Sequence, residues 1–157
     1  MNAKSELYLS AVNPALAAKI RTLAEMLSTE GITVIVSAGF RTWMEQDALY
    51  AEGRTAPGKA VTDAPGGYSW HNFGCAVDCE PEVIDGVIDW NAEHPQWKRM
   101  ASVGVSLGLA SGANWIRIKD APHFQLTGRF PVTPNAEVRQ IYQNEGVEAV
   151  WQEVNKI

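Results

Sequence analysis

Few backbones can meet what the run Ser69-Trp70-His71-Asn72-Phe73-Gly74-Cys75-Ala76-Val77-Asp78 asks for. His71 and Asp78 must reach one point across a glycine, which a loop turning into a strand achieves, and that spacing suits a metal ion. His123, in Asp120-Ala121-Pro122-His123-Phe124, offers a third ligand from a distant segment. Two His and one carboxylate leave one tetrahedral position of zinc open, the catalytic arrangement, since four protein ligands would close a structural site. The open position takes a water whose pKa falls towards neutrality, so a nearby carboxylate can remove its proton as it attacks a carbonyl carbon. Asp120 is the expected base, near the metal without binding it. The alternative is an acid that orients the His123 ring, because a ligating His donates its other N–H to such a partner.

The remaining segments predict how these groups are carried. Asn13-Pro14 reads as an N-cap with proline at the first helical position, and Leu16, Ile20, Leu23, Met26 and Leu27 continue a helix over 14–30. The β-branched run Ile32-Thr33-Val34-Ile35-Val36 predicts a strand delivering Arg41 to its end, where a planar guanidinium suits a substrate carboxylate or a developing oxyanion. Thr42-Trp43-Met44-Glu45 is a capping box opening a helix over 43–53, with Gln46 placed to orient Arg41 or the substrate. Residues 54–68 predict a long irregular loop that forms one wall of a cleft. Ser69 either holds the loop backbone or binds substrate. Further on, a hairpin is expected about Asp85-Gly86, a helix opening at Pro95 with His94 on the surface, and strands over 114–118 and 124–126. Trp115 is a candidate for the cleft lining. Two helical patterns, 135–144 and 147–156, follow Pro131 and Pro134 and are expected to lie on the domain as a lid or brace.

At 157 residues the chain suits one domain. Its net charge of −5 argues against a nucleic-acid partner and gives no pull towards an anionic membrane. Without an apolar run of membrane length or a secretory-type start, a cytoplasmic site of synthesis and no membrane anchor are expected. Cys75 and Cys79 would sit about 13 Å apart in a strand, beyond disulfide reach, and read as reduced core residues rather than ligands.

Ser69, His71, Gly74, Ala76 and Asp78, followed by the downstream acid-x-x-His, together form a pattern that resembles the zinc D-Ala-D-Ala carboxypeptidase, dipeptidase and L-alanyl-D-glutamate peptidase family. The similarity extends through Ser37 to Thr42, Gln46, Leu49-Tyr50, Gly53, Val61-Thr62, Pro65-Gly66 and Pro122 to Gln125, about residues 32–127. The Asp-Ala-Pro-His-Phe segment is similar to phage endolysin peptidases, whereas dipeptidases usually show Glu followed by Trp-His. The resemblance implies an α+β fold of the hedgehog and D-Ala-D-Ala-peptidase type, a small antiparallel sheet flanked by helices with the metal in a cleft at one end. It implies a single catalytic domain over 1–157, with a core over about 14–127 and a helical tail over 131–157. One Zn2+ per chain on His71, Asp78 and His123 is implied, with Asp120 and Arg41 catalytic and Ser69, Gln46 and Trp115 binding substrate. The implied partner is a peptidoglycan stem peptide, met by a monomer acting on the cell wall or in the periplasm after release by another protein. The bond expected to break is L-Ala–D-Glu; the alternatives are D,D-carboxypeptidase or dipeptidase action and a zinc module without catalysis. Leu109-Ala110-Ser111-Gly112 departs from the Trp-Gly pair of many relatives.

Overall fold

The computed structural model describes residues 1–82, 87–116 and 119–156. Its centre is a four-stranded antiparallel sheet, β1 (Thr33–Ala38), β2 (Ala76–Glu82), β3 (Ala110–Ser111) and β4 (His123–Gln125), in the order β1-β2-β4-β3. Among the described residues six α-helices accompany it: α1 (Ala3–Ser10), α2 (Pro14–Ser28), α3 (Trp43–Ala51), α4 (Pro95–Ser106), α5 (Ala136–Glu145) and α6 (Val147–Val154). This is the α+β arrangement expected. Among the described residues no helix is long and apolar enough to cross a membrane.

The core follows from the two periodicities of the sequence. Leu16, Ile20, Leu23 and Leu27 recur on one face of α2 and are buried against Val34 and Val36 of β1, Val77 and Cys79 of β2, and Trp97, Met100 and Val103 of α4. Each such leucine contributes about 2 kcal/mol by leaving water. A second apolar cluster joins Trp70, Phe73 and Ala76 to Phe130, Val138, Val150 and Val154. The tail is therefore a brace: Trp151 Nε1 donates to Phe73 O at 2.7 Å, and Asn155 exchanges hydrogen bonds with Asn13.

Local signals set the boundaries. The Asn13 side chain caps α2 by accepting from Ala15 N, and Thr42 and Glu45 form the capping box of α3. α1 was not expected; Asn2 caps it, but only Ser5 and Leu9 of its residues are buried, too few to mark a helical period in the sequence. The strand expected over 114–118 does not form over 114–116. Asn114 instead ends a 3-10 turn (Gly112–Asn114), and the pairing strand is the two-residue β3 just before it. Residues 117–118 and the turn of the expected 82–90 hairpin lie outside the described residues. His94 caps α4 through Nδ1. Cys75 and Cys79 are free and buried; burial pushes the Cys75 thiol up to about 12 and the Cys79 thiol well above its ordinary value, so both are inert core groups.

Candidate metal centre

The register of the sheet builds the site. Asp78 on β2 lies directly opposite His123 on β4, and on its other side faces Ala38, just past an irregularity in β1. Paired residues of adjacent antiparallel strands put their side chains on the same face, so the carboxylate and the imidazole meet by construction. His71 comes from a 3-10 turn, Trp70–Phe73, that leads into β2. Gly74 ends that turn at φ 61°, a left-handed conformation that favours glycine, and a Cβ there would also press on the Trp151 ring at 3.2 Å. Ser69 caps the turn, its hydroxyl accepting from His71 N at 3.3 Å, which is the backbone-holding role of its two expected ones.

One ligand atom each from His71, Asp78 and His123 lies within 4.8 Å of the others. Asp78 Oδ1 is 3.3 Å from His71 Nε2 and 3.4 Å from His123 Nδ1, yet it is buried and makes no hydrogen bond. The far side of each ring explains this. His71 Nδ1 must donate to Gly39 O at 2.8 Å, since a carbonyl only accepts, which leaves Nε2 with its lone pair free. Gln125 Nε2 donates to Val132 O, turning Oε1 towards His123 Nε2 at 2.9 Å, so that nitrogen carries the proton and Nδ1 is free. Three lone pairs therefore converge on one point, the donor set a divalent cation requires. Burial would raise the Asp78 carboxyl, but the neighbouring His71 and His123 outweigh it and hold it well below the usual carboxylate range. His123 moves the other way: burial opposes its charge, and Asp78 prevails and raises it.

Asp120 lies beside this cluster, Oδ2 4.0 Å from His123 Nδ1, with its side chain 45% exposed to the cleft. Gln125, not Asp120, holds the His123 ring, so the Asp120 carboxyl is free to face a substrate. Partial burial and then the negative charge of Asp78 raise its pKa, against the pull of His123, His71 and Arg41. Trp115 leans on His123 at 5.0 Å between ring centroids and lines a cleft of about 1020 Å³ with Asp120, Lys119, Tyr68 and residues 60–65.

Arg41 is aimed by a chain of contacts. Its Nη1 donates to Gln46 Oε1 at 2.9 Å, and Gln46 Nε2 donates to Ala64 O and Thr62 Oγ1 of the cleft wall. Gln46 is fully buried with both ends of its amide engaged, so it touches Arg41 and the wall instead of the cleft. Asp47 of α3 accepts from Gly66 N, and Arg54, which donates to Tyr50 O of α3, also holds Asp63, which makes this irregular stretch an anchored wall. Two buried amides that the sequence did not single out complete the frame. Gln125 orients His123, and Asn72 accepts from Gly67 N while donating to Arg41 O.

Two solved structures share this architecture. The Serratia marcescens L-Ala D-Glu endopeptidase ChiX matches with a TM-score of 0.60 at 29% identity, over 81% of this chain and 89% of that one. The LD-carboxypeptidase LdcB shares the fold, with a TM-score of 0.54 at 22% identity over 73% of this chain and 64% of that one. The fold and the converging side chains thus define the class, a small α+β peptidase whose cleft carries a His-Asp-His group that could hold a metal ion. Within that class, the chain belongs to the VanY, D-alanyl-D-alanine carboxypeptidase, family, which its residues 9–129 match. The peptidoglycan L-alanyl-D-glutamate endopeptidase CwlK of Bacillus subtilis (strain 168) is 36% identical to it over 124 residues, 74% of each chain.

Proposed function

We propose that the protein is a zinc-dependent endopeptidase that hydrolyses the L-Ala–D-Glu bond of the peptidoglycan stem peptide. The observation that carries this reading is the meeting of His71 Nε2, Asp78 Oδ1 and His123 Nδ1 beside a free Asp120 carboxyl in an open cleft. The bond assignment is supported by the likeness to CwlK and ChiX, both named for that cleavage. The endolysin form of the Asp120–Phe124 segment supports a lytic role on the cell wall.

His71, Asp78 and His123 would hold the ion. Bound there, zinc supplies a Lewis acid that polarises the scissile carbonyl and acidifies a water. Asp120 takes the proton of the attacking water and hands it to the departing D-Glu amine, a task its raised pKa favours. Arg41, held by Gln46, offers its guanidinium to anionic charge on the substrate or the tetrahedral intermediate. Trp115 packs on His123 and shields that side of the site from water.

Purified peptidoglycan digested with and without a chelator, followed by mass spectrometry of the newly exposed amines, tests the reading. A chelator-sensitive new D-Glu amino terminus is the expected product. Released D-Ala or a terminal dipeptide would assign the enzyme to the D,D-specific branch, and no product from the zinc-loaded protein would leave a binding module.

A further inference from the structure

A second groove, of about 470 Å³, runs along α4 next to the cleft. Lys119 lines groove and cleft alike, while Ala121 lines the groove and Asp120 the cleft, so residues 119–121 form a ridge between the two. The chemistry of the groove differs from that of the metal centre. Trp97 in its wall is fixed by Nε1 donating to Asp89 O at 2.7 Å, and it carries Trp90 against it at 6.0 Å between ring centroids and 37°. Trp90 itself is 66% exposed, and Val105 on the wall is 47% exposed. Large apolar surfaces left in water beside a concave site mark binding. The charges Glu93 and Lys98 neutralise each other in an ion pair of 2.7 Å, and Ser102 and Asn114 add neutral hydrogen-bonding groups.

The exposed Trp90 indole, the apolar Val105, a paired charge and further hydrogen-bonding groups, Lys119 among them, fit a hydroxyl-rich ring. A pyranose stacks its C–H face on an indole and spends its hydroxyls on amides, hydroxyls and paired charges. The location fits the same ligand, given the L-Ala–D-Glu reading on which this step rests. The L-Ala amino group is joined through a lactyl group to the amino sugar of the glycan strand. The first sugar therefore begins about two residue lengths, roughly 7 Å, from the bond to be cut. The base sits on the ridge itself, between Lys119 and Ala121 of the groove lining.

We propose that this groove, with Trp90 at its rim, is a glycan subsite that holds an N-acetylhexosamine of the strand while the stem peptide lies in the cleft.

Ligand-observed NMR on the zinc-loaded protein with a peptide-free GlcNAc–MurNAc tetrasaccharide tests binding without catalysis. Saturable binding is expected, weakened about tenfold or more by Trp90→Ala and by Ser102→Tyr, which fills the groove from an exposed helix position. In a second measurement, wild type should have a kcat/KM about tenfold higher for a GlcNAc–MurNAc-tripeptide than for the free tripeptide. Both variants should lose that preference and keep the free-peptide rate. Absent glycan binding, binding unchanged in both variants, or equal use of the two substrates by wild type would overturn the subsite. If neither substrate is cut, the bond assignment fails, and the tetrasaccharide titration still decides the groove.

Discussion

The four groups around the metal position divide the work by what their far sides touch. His71 and His123 each spend one nitrogen on a fixed acceptor, so the other keeps its lone pair free for a metal ion, whereas Asp120 spends nothing and stays available. Asp120→Asn is expected to lower kcat by about 10²–10⁴-fold while bound zinc, measured by elemental analysis, stays at the wild-type level. Gln125→Leu removes the acceptor that fixes the His123 ring, and zinc affinity in a competition titration with a chelator should fall about 10–100-fold with little change in fold. The raised pKa of His123 gives metal binding a definite pH sign. The metal-free protein keeps a proton on His123 to a higher pH than an ordinary histidine, above about 6.5, and zinc must displace it. Affinity should therefore climb with pH through that range, and calorimetry in buffers of different ionisation enthalpy should detect proton release; the same affinity at pH 6 and pH 8 would contradict it.

The elements that hold these residues were legible wherever a local interaction fixed them. Asn13-Pro14 and the Thr42–Glu45 capping box each carry their own hydrogen bonds, so the starts of α2 and α3 could be read directly. β3 could not, because Ala110–Ser111 has no strand preference of its own and exists only by pairing with β4, while Trp115-Ile116 looks like strand and turns away. The ligands were readable for the same reason as the caps: His, Asp and His at fixed spacing carry their chemistry in the residue type. Gln125 and Asn72 were not readable as a frame, because an amide shows its use only once its tertiary partners are placed. At this scale one tight joint is Gly104 of α4, where a Cβ would lie 2.3 Å from the Phe124 ring in the middle of β4. Gly104→Ala should cost about 1–3 kcal/mol by overpacking. Thermal unfolding would then move down by about 2–12 °C, and an unchanged midpoint would mean that β4 slides aside.

For the molecule as a whole, the two apolar clusters share Leu126, which packs against both. One lies beneath the sheet, and the other ties the turn that carries His71 to α5 and α6. Trp151→Phe keeps most of that packing but leaves Phe73 O without its donor, which should cost about 1–3 kcal/mol. Urea titration should show this as a lower midpoint at unchanged slope, and a changed slope would mean the brace unfolds separately from the domain. The same brace sets an order of events. His71, Asp78, Asp120 and His123 all precede residue 124, but the Phe73 carbonyl of the turn carrying His71 takes its hydrogen bond from Trp151, 78 residues later, and α2 is tied to Asn155 across 142 residues. A chain emerging from the ribosome thus holds the candidate site residues and their near partners before it holds the brace that packs on them. Contacts of such long sequence separation form late and slowly. The candidate site therefore gains its brace only after most of the polypeptide has been made, and a nascent or truncated chain carries the candidate ligands without it.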